Sequence, residues 1–177
     1  MPAAQQSVVL KGTRQLTRRL RVVDGTLVPS SNLLTNPQSG NLADYPVNGN
    51  VTASTTLDIL GIRTGVVFGD NSLSRFAYKN NFATVNGKTY RISALIKMDD
   101  NGLPIPSNAS NTGDFSFVVD GSIIGTNITV RRVAGSVYRC SMDLTSTGAL
   151  ANNGVIKYNT QSVRSFTVTD YHLQLVS

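Results

Sequence analysis

The sequence predicts an all-β protein: an antiparallel β-sandwich of the jelly-roll type behind an extended, basic N-terminal arm. Three observations point there. The 177 residues include ten Asp and no Glu, and Glu is a residue that helices use heavily and turn-rich β folds can omit. Apolar residues recur with period two far more often than with period 3.6. Dipeptides that tolerate positive φ punctuate the chain at short intervals, as expected of short antiparallel strands joined by tight loops. Such strands bury one face each between two facing sheets, and the absence of a repeat at fixed period excludes propellers and solenoids.

The arm comes first. Residues 1–30 hold Lys11, Arg14, Arg18, Arg19 and Arg21 against Asp24 alone, whereas the rest of the chain holds eleven basic and nine acidic side chains. A basic segment on a nearly neutral body suggests a partner that is negative or rich in carboxylates. Val8, Val9, Leu10, Leu16 and Leu20 are interleaved with the charges, and no aromatic ring is present to stack on bases. Docking on protein therefore fits better than nucleic acid as the main partner. Asp24-Gly25 between Leu20–Val23 and Thr26–Val28 predicts a small hairpin within the arm. Extended at about 3.3 Å per residue, thirty residues reach roughly 100 Å. Pro29-Ser30-Ser31-Asn32 marks the boundary, giving an arm over 1–31 and a sandwich over 32–177.

In the body, Tyr90, Ile92, Ala94, Ile96 and Met98 alternate with Arg91, Ser93, Leu95 and Lys97, a long strand with one core face and one mostly wet face. Tyr138, Cys140, Met142 and Leu144 repeat the pattern. Hairpins are expected at Asn86-Gly87, before the Tyr90 strand, and at Asp120-Gly121, between Phe115–Val119 and Ser122–Ile124. Further strands are expected over Thr52–Leu60, Arg63–Phe68, Asn127–Val133, Gly154–Tyr158 and Arg164–Leu175, for nine or ten in the body. Asp99–Gly113 is the longest polar connection, and long loops on a rigid sandwich are where binding usually sits.

Catalytic chemistry finds little to work with. The one His, His172, falls on an alternating strand whose core face is Tyr171, Leu173 and Leu175, so an exposed strand histidine beside Asp170 and Gln174 is the expectation. No Gly-x-Ser-x-Gly elbow is present, and the one Cys, Cys140, reads as a small buried apolar residue. Asp99-Asp100-Asn101-Gly102 gathers hard oxygen donors but lacks the spacing of a full calcium loop. No catalytic residue, metal site or cofactor is therefore assigned. A sugar platform wants exposed aromatic faces; the chain has no Trp, and with five rings expected in the core, Tyr45, Phe76, Tyr78 and Tyr158 remain as surface rings, of which Tyr45, Tyr78 and Tyr158 are the candidate glycan contacts. No apolar run approaches the roughly 18 residues of a membrane span, and Met1–Leu20 lacks the apolar core of a secretory signal, which predicts synthesis in a cytoplasm and no membrane partner.

Four stretches then carry a family resemblance. They are Asn32-Leu33-Leu34-Thr35-Asn36-Pro37, the strand from Gly87 to Met98, Val137-Tyr138-Arg139-Cys140-Ser141-Met142, and the ending from Ser165 to Leu175 with its aromatic strand and Gln174. In these the body resembles the jelly-roll, carbohydrate-binding-module-like domains of tailed-bacteriophage virion proteins, of the fibre and capsid-decoration types. The resemblance implies a structural virion protein on the capsid exterior, made in the host bacterial cytoplasm. As a decoration or cement subunit, its arm would dock on the major capsid protein through Val8, Val9, Leu10, Lys11, Arg14, Leu16, Arg18, Arg19, Leu20 and Arg21, and the sandwich would pair with itself as a dimer or trimer. The alternative is a receptor- or glycan-binding module of a phage head or tail fibre, with Tyr45, Tyr78 and Tyr158 as contacts.

Overall fold

A computed structural model describes residues 20–23, 26–29, 47–48, 51–69, 74–78, 84–107, 113–119, 122–124, 127–148, 153–157 and 164–176. The chain forms two units, residues 1–31 and 32–177. In the first, β1 (Leu20–Val23) pairs antiparallel with β2 (Thr26–Pro29), Val23 opposite Thr26, as the expected hairpin requires, and the expected Asp24-Gly25 turn lies outside the described residues.

The second unit is an antiparallel sandwich with eleven strands among the described residues, slightly more than expected. Six form one sheet: β4 (Val51–Ser54), β5 (Gly65–Phe68), β7 (Thr89–Met98), β10 (Thr129–Ala134), β11 (Val137–Thr145) and β13 (Phe166–Leu175), in the order β10-β11-β7-β13-β5-β4. Five form the other: β3 (Val47–Asn48), β6 (Ser74–Tyr78), β8 (Ser116–Val119), β9 (Ser122–Ile124) and β12 (Asn153–Lys157), in the order β3-β6-β12-β8-β9. β8 pairs antiparallel with β9, Val119 opposite Ser122, and the expected Asp120-Gly121 turn between them lies outside the described residues.

Period-two alternation sends one set of side chains inward from each sheet. Tyr90, Ile92, Ala94, Ile96 and Met98 of β7, Tyr138, Cys140 and Met142 of β11, and Phe166, Val168, Tyr171 and Leu173 of β13 meet Phe115, Phe117, Val119 and Val155 from the facing sheet. Phe68 stacks on Phe166 at 4.7 Å between centroids, Phe115 meets Phe166 edge-on at 6.4 Å, and Phe117 lies 6.4 Å from Tyr171. Burying each such ring contributes about 2–3 kcal/mol.

Three expectations need correction. The strand expected over Thr52–Leu60 stops at Ser54, and the chain then turns over the outside of the sheet. Asn86-Gly87 does make a turn, with Gly87 at φ +77° and Lys88 N–H donating to Val85 at 3.1 Å. Thr84 and Val85 nevertheless form no strand with β7, because β11 and β13 already occupy both of its edges. Leu175, expected on the core face, is half exposed, lying at the last position of β13 where the facing core has ended.

Candidate functional site

The outer face of the six-stranded sheet is built by the residues that alternate with the core. Across β11, β7 and β13 the ladders align Val137, Lys97 and Thr167; then Arg139, Leu95 and Thr169; then Ser141, Ser93 and His172; then Asp143, Arg91 and Gln174. Two of these, Leu95 and Val137, are apolar and would face water. The β4–β5 connection covers them. It folds into a miniature hairpin in which Leu57 N–H donates to Arg63 O at 2.9 Å and Ile59 and Ile62 exchange both backbone bonds. Leu60 and Gly61, with φ of 54° and 79°, take the two positive-φ positions of its tip. Leu57, Ile59 and Ile62 thereby pack on Leu95 and Val137 as a second, smaller apolar cluster.

Between this hairpin and the sheet lies a cleft of about 280 Å³. Leu57 and Ile59 form an apolar wall, and Asp58, Lys97, Asp99, Asn101 and Thr167 supply polar groups. Among the described residues, Asp58, Lys97 and Asp99 form no ion pair, and the Thr167 hydroxyl has no hydrogen-bond partner although Thr167 is only 7% exposed. Asn101, at φ +59°, accepts from Ser136 Oγ at 2.9 Å through Oδ1, which leaves its amide nitrogen uncommitted. The cleft thus combines an apolar wall with polar groups that form no side-chain bond among the described residues.

Arg164, outside the cleft lining, holds the connection that follows Asp99. Its guanidinium donates to Asp100 Oδ2 at 2.8 Å, to Asp114 Oδ2 at 2.5 Å and to Leu103 O at 3.2 Å. Asp114, almost fully buried, also accepts from Ile105 N–H at 2.9 Å. The Arg164 hydrogen bond and the Gly102 N–H hold the Asp100 carboxyl below its ordinary range. The connection from Asp99, expected as a binding loop, is therefore tied to the sheet over its described part, and only Asp99 and Asn101 line the cleft. Residues 108–112 lie outside the described residues. The Asp99-Asp100-Asn101-Gly102 turn spends its Asp100 carboxylate on Arg164 rather than offering it to a cation.

Further along the same face, β13 carries one extra residue between Thr169 and His172, and Asp170 takes φ +51° there. Arg139 Nη1 donates to Asp170 O at 2.8 Å and Nη2 pairs with its carboxylate, whose other oxygen lies 2.8 Å from His172 Nε2. Burial pushes the Asp170 carboxyl up, but the hydrogen bonds and charges of His172 and Arg139 outweigh it and hold the group well below the usual range. His172, expected to be exposed, has a side chain only 15% exposed, because the bulge brings Asp170 against it. Ser93 stands opposite His172 in the ladder, yet among the described residues no serine hydroxyl bonds the imidazole, so no nucleophile–base pair is assembled. Burial pushes the Cys140 thiol up to about 12, as expected of a core residue.

Of the arm residues, Leu20 and Arg21 lie in β1, opposite Pro29 and Val28. Val8, Val9, Leu10, Lys11, Arg14, Leu16, Arg18 and Arg19 lie outside the described residues. So do Tyr45 and Tyr158, whereas Tyr78 belongs to β6 of the five-stranded sheet, opposite Asn153, and not to the sheet that bears the cleft. The cleft residues escaped the sequence reading, although Ile59-Leu60-Gly61-Ile62 signalled the hairpin that creates it: a glycine at a turn flanked by apolar residues.

No family model matches the chain, and no curated protein does. Solved structures do. The N-terminal CBM22-1–GH10 modules of Clostridium thermocellum endo-1,4-beta-D-xylanase 10B, complexed with xylohexaose, align at a TM-score of 0.55 and 16% identity over 82% of this chain and 29% of that one. The enzymatically active domain of bacteriophage CBA120 tailspike protein 4 aligns at 0.52 and 11% over 82% of this chain and 21% of that one. TmCBM61, in complex with beta-1,4-galactotriose, aligns at 0.51 and 13% over 83% of this chain and its whole length. The chain spans less than a third of the first two and all of the third. At these identities the likeness is one of fold: residues 32–177 form a jelly-roll β-sandwich of the kind found in carbohydrate-binding modules.

Proposed function

We propose that this chain is a non-catalytic glycan-binding module whose contact surface is the cleft on the outer face of the six-stranded sheet. Of the two classes expected from the sequence, the glycan module is the one the site supports. One observation carries it: Lys97, Asp58, Asp99 and Thr167 line a concave site beside Leu57 and Ile59, and among the described residues their side chains have no hydrogen-bond or ion-pair partner. Sugar hydroxyls both donate and accept, so they need such mixed donors and acceptors, while the ring's C–H face needs an apolar wall. A Michaelis-type site would need a base poised on a nucleophile, and the described residues assemble none. The jelly-roll likeness to modules solved with xylohexaose and galactotriose is consistent with this reading. The arm's docking on a major capsid protein belongs to the other class, and the arm residues concerned lie almost wholly outside the described residues.

Affinity electrophoresis of the full chain through gels containing neutral, amino and acidic polysaccharides tests the reading. Retardation by at least one of them, removed by the double variant Lys97→Ala/Thr167→Val, is the expected result. Mobility unchanged in every gel, or retardation identical in the double variant, overturns it.

A further inference from the structure

The six-stranded sheet ends at β10, and among the described residues no strand pairs with its outer edge. Five of the six residues of β10 are exposed, and it is the longest of the four edge strands; β3, β4 and β9 have two to four residues each. Alternate N–H and C=O groups along β10 point away from β11, free to extend the ladder. This edge is also positively charged. Arg131 lies opposite Arg139 and Arg132 opposite Tyr138, a core residue, so the two arginines stand on opposite faces of the sheet. The strands of the six-stranded sheet hold two carboxylates, and both are taken: Asp143 by Arg91, and Asp170 by Arg139 and His172. Beyond the end of β10, Ser136 bonds Asn101, beside which Asp100 is held by Arg164 and Asp99 lines the cleft. Among the described residues Arg131 and Arg132 form no ion pair. Going beyond the glycan reading, we propose that the β10 edge docks an acidic, extended polypeptide segment, which adds as a further strand and sets two consecutive carboxylates against Arg131 and Arg132.

The other occupants fit less well. A second copy paired through β10 would set arginines against arginines, and like charges directly opposite each other destabilise a ladder. Nucleic acid wants open rings to stack on, and the ring beside these arginines, Tyr138, is 3% exposed. An edge arginine can also serve only to repel other edges, but such a guard needs no fixed posture. Arg132 has one: its Nη2 donates to the Tyr138 hydroxyl at 3.0 Å, and its guanidinium stands 5.5 Å from the centre of that ring. The register shift between Arg132 and Ala134 interrupts the ladder there, which leaves Thr129 to Arg132 as the regular stretch of edge. Neighbours along a strand project to opposite faces, so the cross-strand partners of Arg131 and Arg132 are themselves neighbours. That is why the segment needs its two carboxylates in consecutive positions.

Fluorescence anisotropy on the full chain tests this with a short labelled peptide of alternating valine and threonine around a central Asp-Glu pair. A Lys-Lys version, a version N-methylated on the central pair, and a heparin fragment serve as comparisons. The Asp-Glu peptide should bind about tenfold tighter than the Lys-Lys version, with an affinity that falls as salt is raised. N-methylation, which removes main-chain donors and keeps the charge, should abolish binding. Arg131→Glu, at a side chain with no partner among the described residues, should erase the preference for the acidic peptide and leave the unfolding midpoint near that of the parent. Arg131→Glu/Arg132→Glu should reverse the preference, and if that variant does not fold, the single variant decides. No binding of the Asp-Glu peptide, equal binding of its N-methylated form, or a preference that survives Arg131→Glu overturns the proposal. Binding of the heparin fragment without binding of the Asp-Glu peptide overturns it too, since the edge would then be a surface for polyanions and not for a strand.

Discussion

Gly65 and Leu57 approach so closely that position 65 has no room for a side chain: a Cβ there would stand 2.7 Å from Leu57 Cδ1 and 2.7 Å from the carbonyl oxygen of Val168. The hairpin that walls the cleft closes on the sheet because β5 begins with glycine. Gly65→Ala should therefore lift the hairpin or displace β13, at a cost of about 1–3 kcal/mol. Urea unfolding reads the cost. Limited trypsin digestion reads the lifted hairpin, as faster cleavage at the exposed Arg63.

Arg164 and Arg91 both pair with aspartates, yet removing them should have unequal consequences. Arg164→Met removes the cation beside Asp114, whose side chain is 5% exposed, and should cost about 2–4 kcal/mol. Arg91→Met loosens a pair whose side chains are 48% and 41% exposed, and should cost no more than about 0.5 kcal/mol. Paired denaturation curves check the contrast, and near-equal losses would contradict it.

Acid should uncover Asp170. Its carboxyl sits below the ordinary value of 3.8 in the folded chain, so the unfolded chain takes up that proton first as pH falls. The stabilisation is complete above the ordinary carboxylate range and drains away as pH drops below it toward the folded value. Asp170→Asn should lower stability at neutral pH by about 1–3 kcal/mol. It should also flatten the acid limb of a plot of unfolding free energy against pH.

Cys140 should be chemically silent until the sandwich opens. With the thiol fully buried and pushed up to about 12, iodoacetamide at neutral pH should leave the native chain unlabelled and modify it completely in denaturant. Labelling of the native chain at the rate of a free thiol would show that the inner face of β11 is open to solvent.

The core of this fold was legible in the sequence because alternation is a local signal. Tyr90 to Met98, Tyr138 to Met142 and the rings Phe115, Phe117 and Phe166 face inward as their spacing requires. The strand pairs on either side of Asp24-Gly25 and Asp120-Gly121 were equally legible, since a two-residue loop signal is local. What stayed hidden depends on partners distant in sequence. Thr84 and Val85 fail to pair with β7 because β11 and β13, tens of residues later, claim its edges. Ile59 looked like a strand residue, because an apolar side chain reads the same whether it faces the main core or the small cluster on Leu95 and Val137. His172 looked exposed because one extra residue in β13, invisible to period counting, places Asp170 beside it. The cleft escaped for the same reason: Asp58, Lys97 and Thr167 come from three separate segments, and only the closed hairpin makes them neighbours.

The position of β13 governs how the chain must be made. This strand lies between β7 and β5, bonded to both, so the centre of the larger sheet is filled by residues 166–175, translated after every other strand described. A nascent chain still lacking them has β7 and β5 side by side in neither space nor register, each with an open edge and an apolar face. Closure of the sandwich then waits on a long-range pairing, the kind of step that slows folding and exposes intermediates to aggregation. That pairing should limit the folding rate, and expression at reduced temperature or with a holding chaperone should raise the soluble yield.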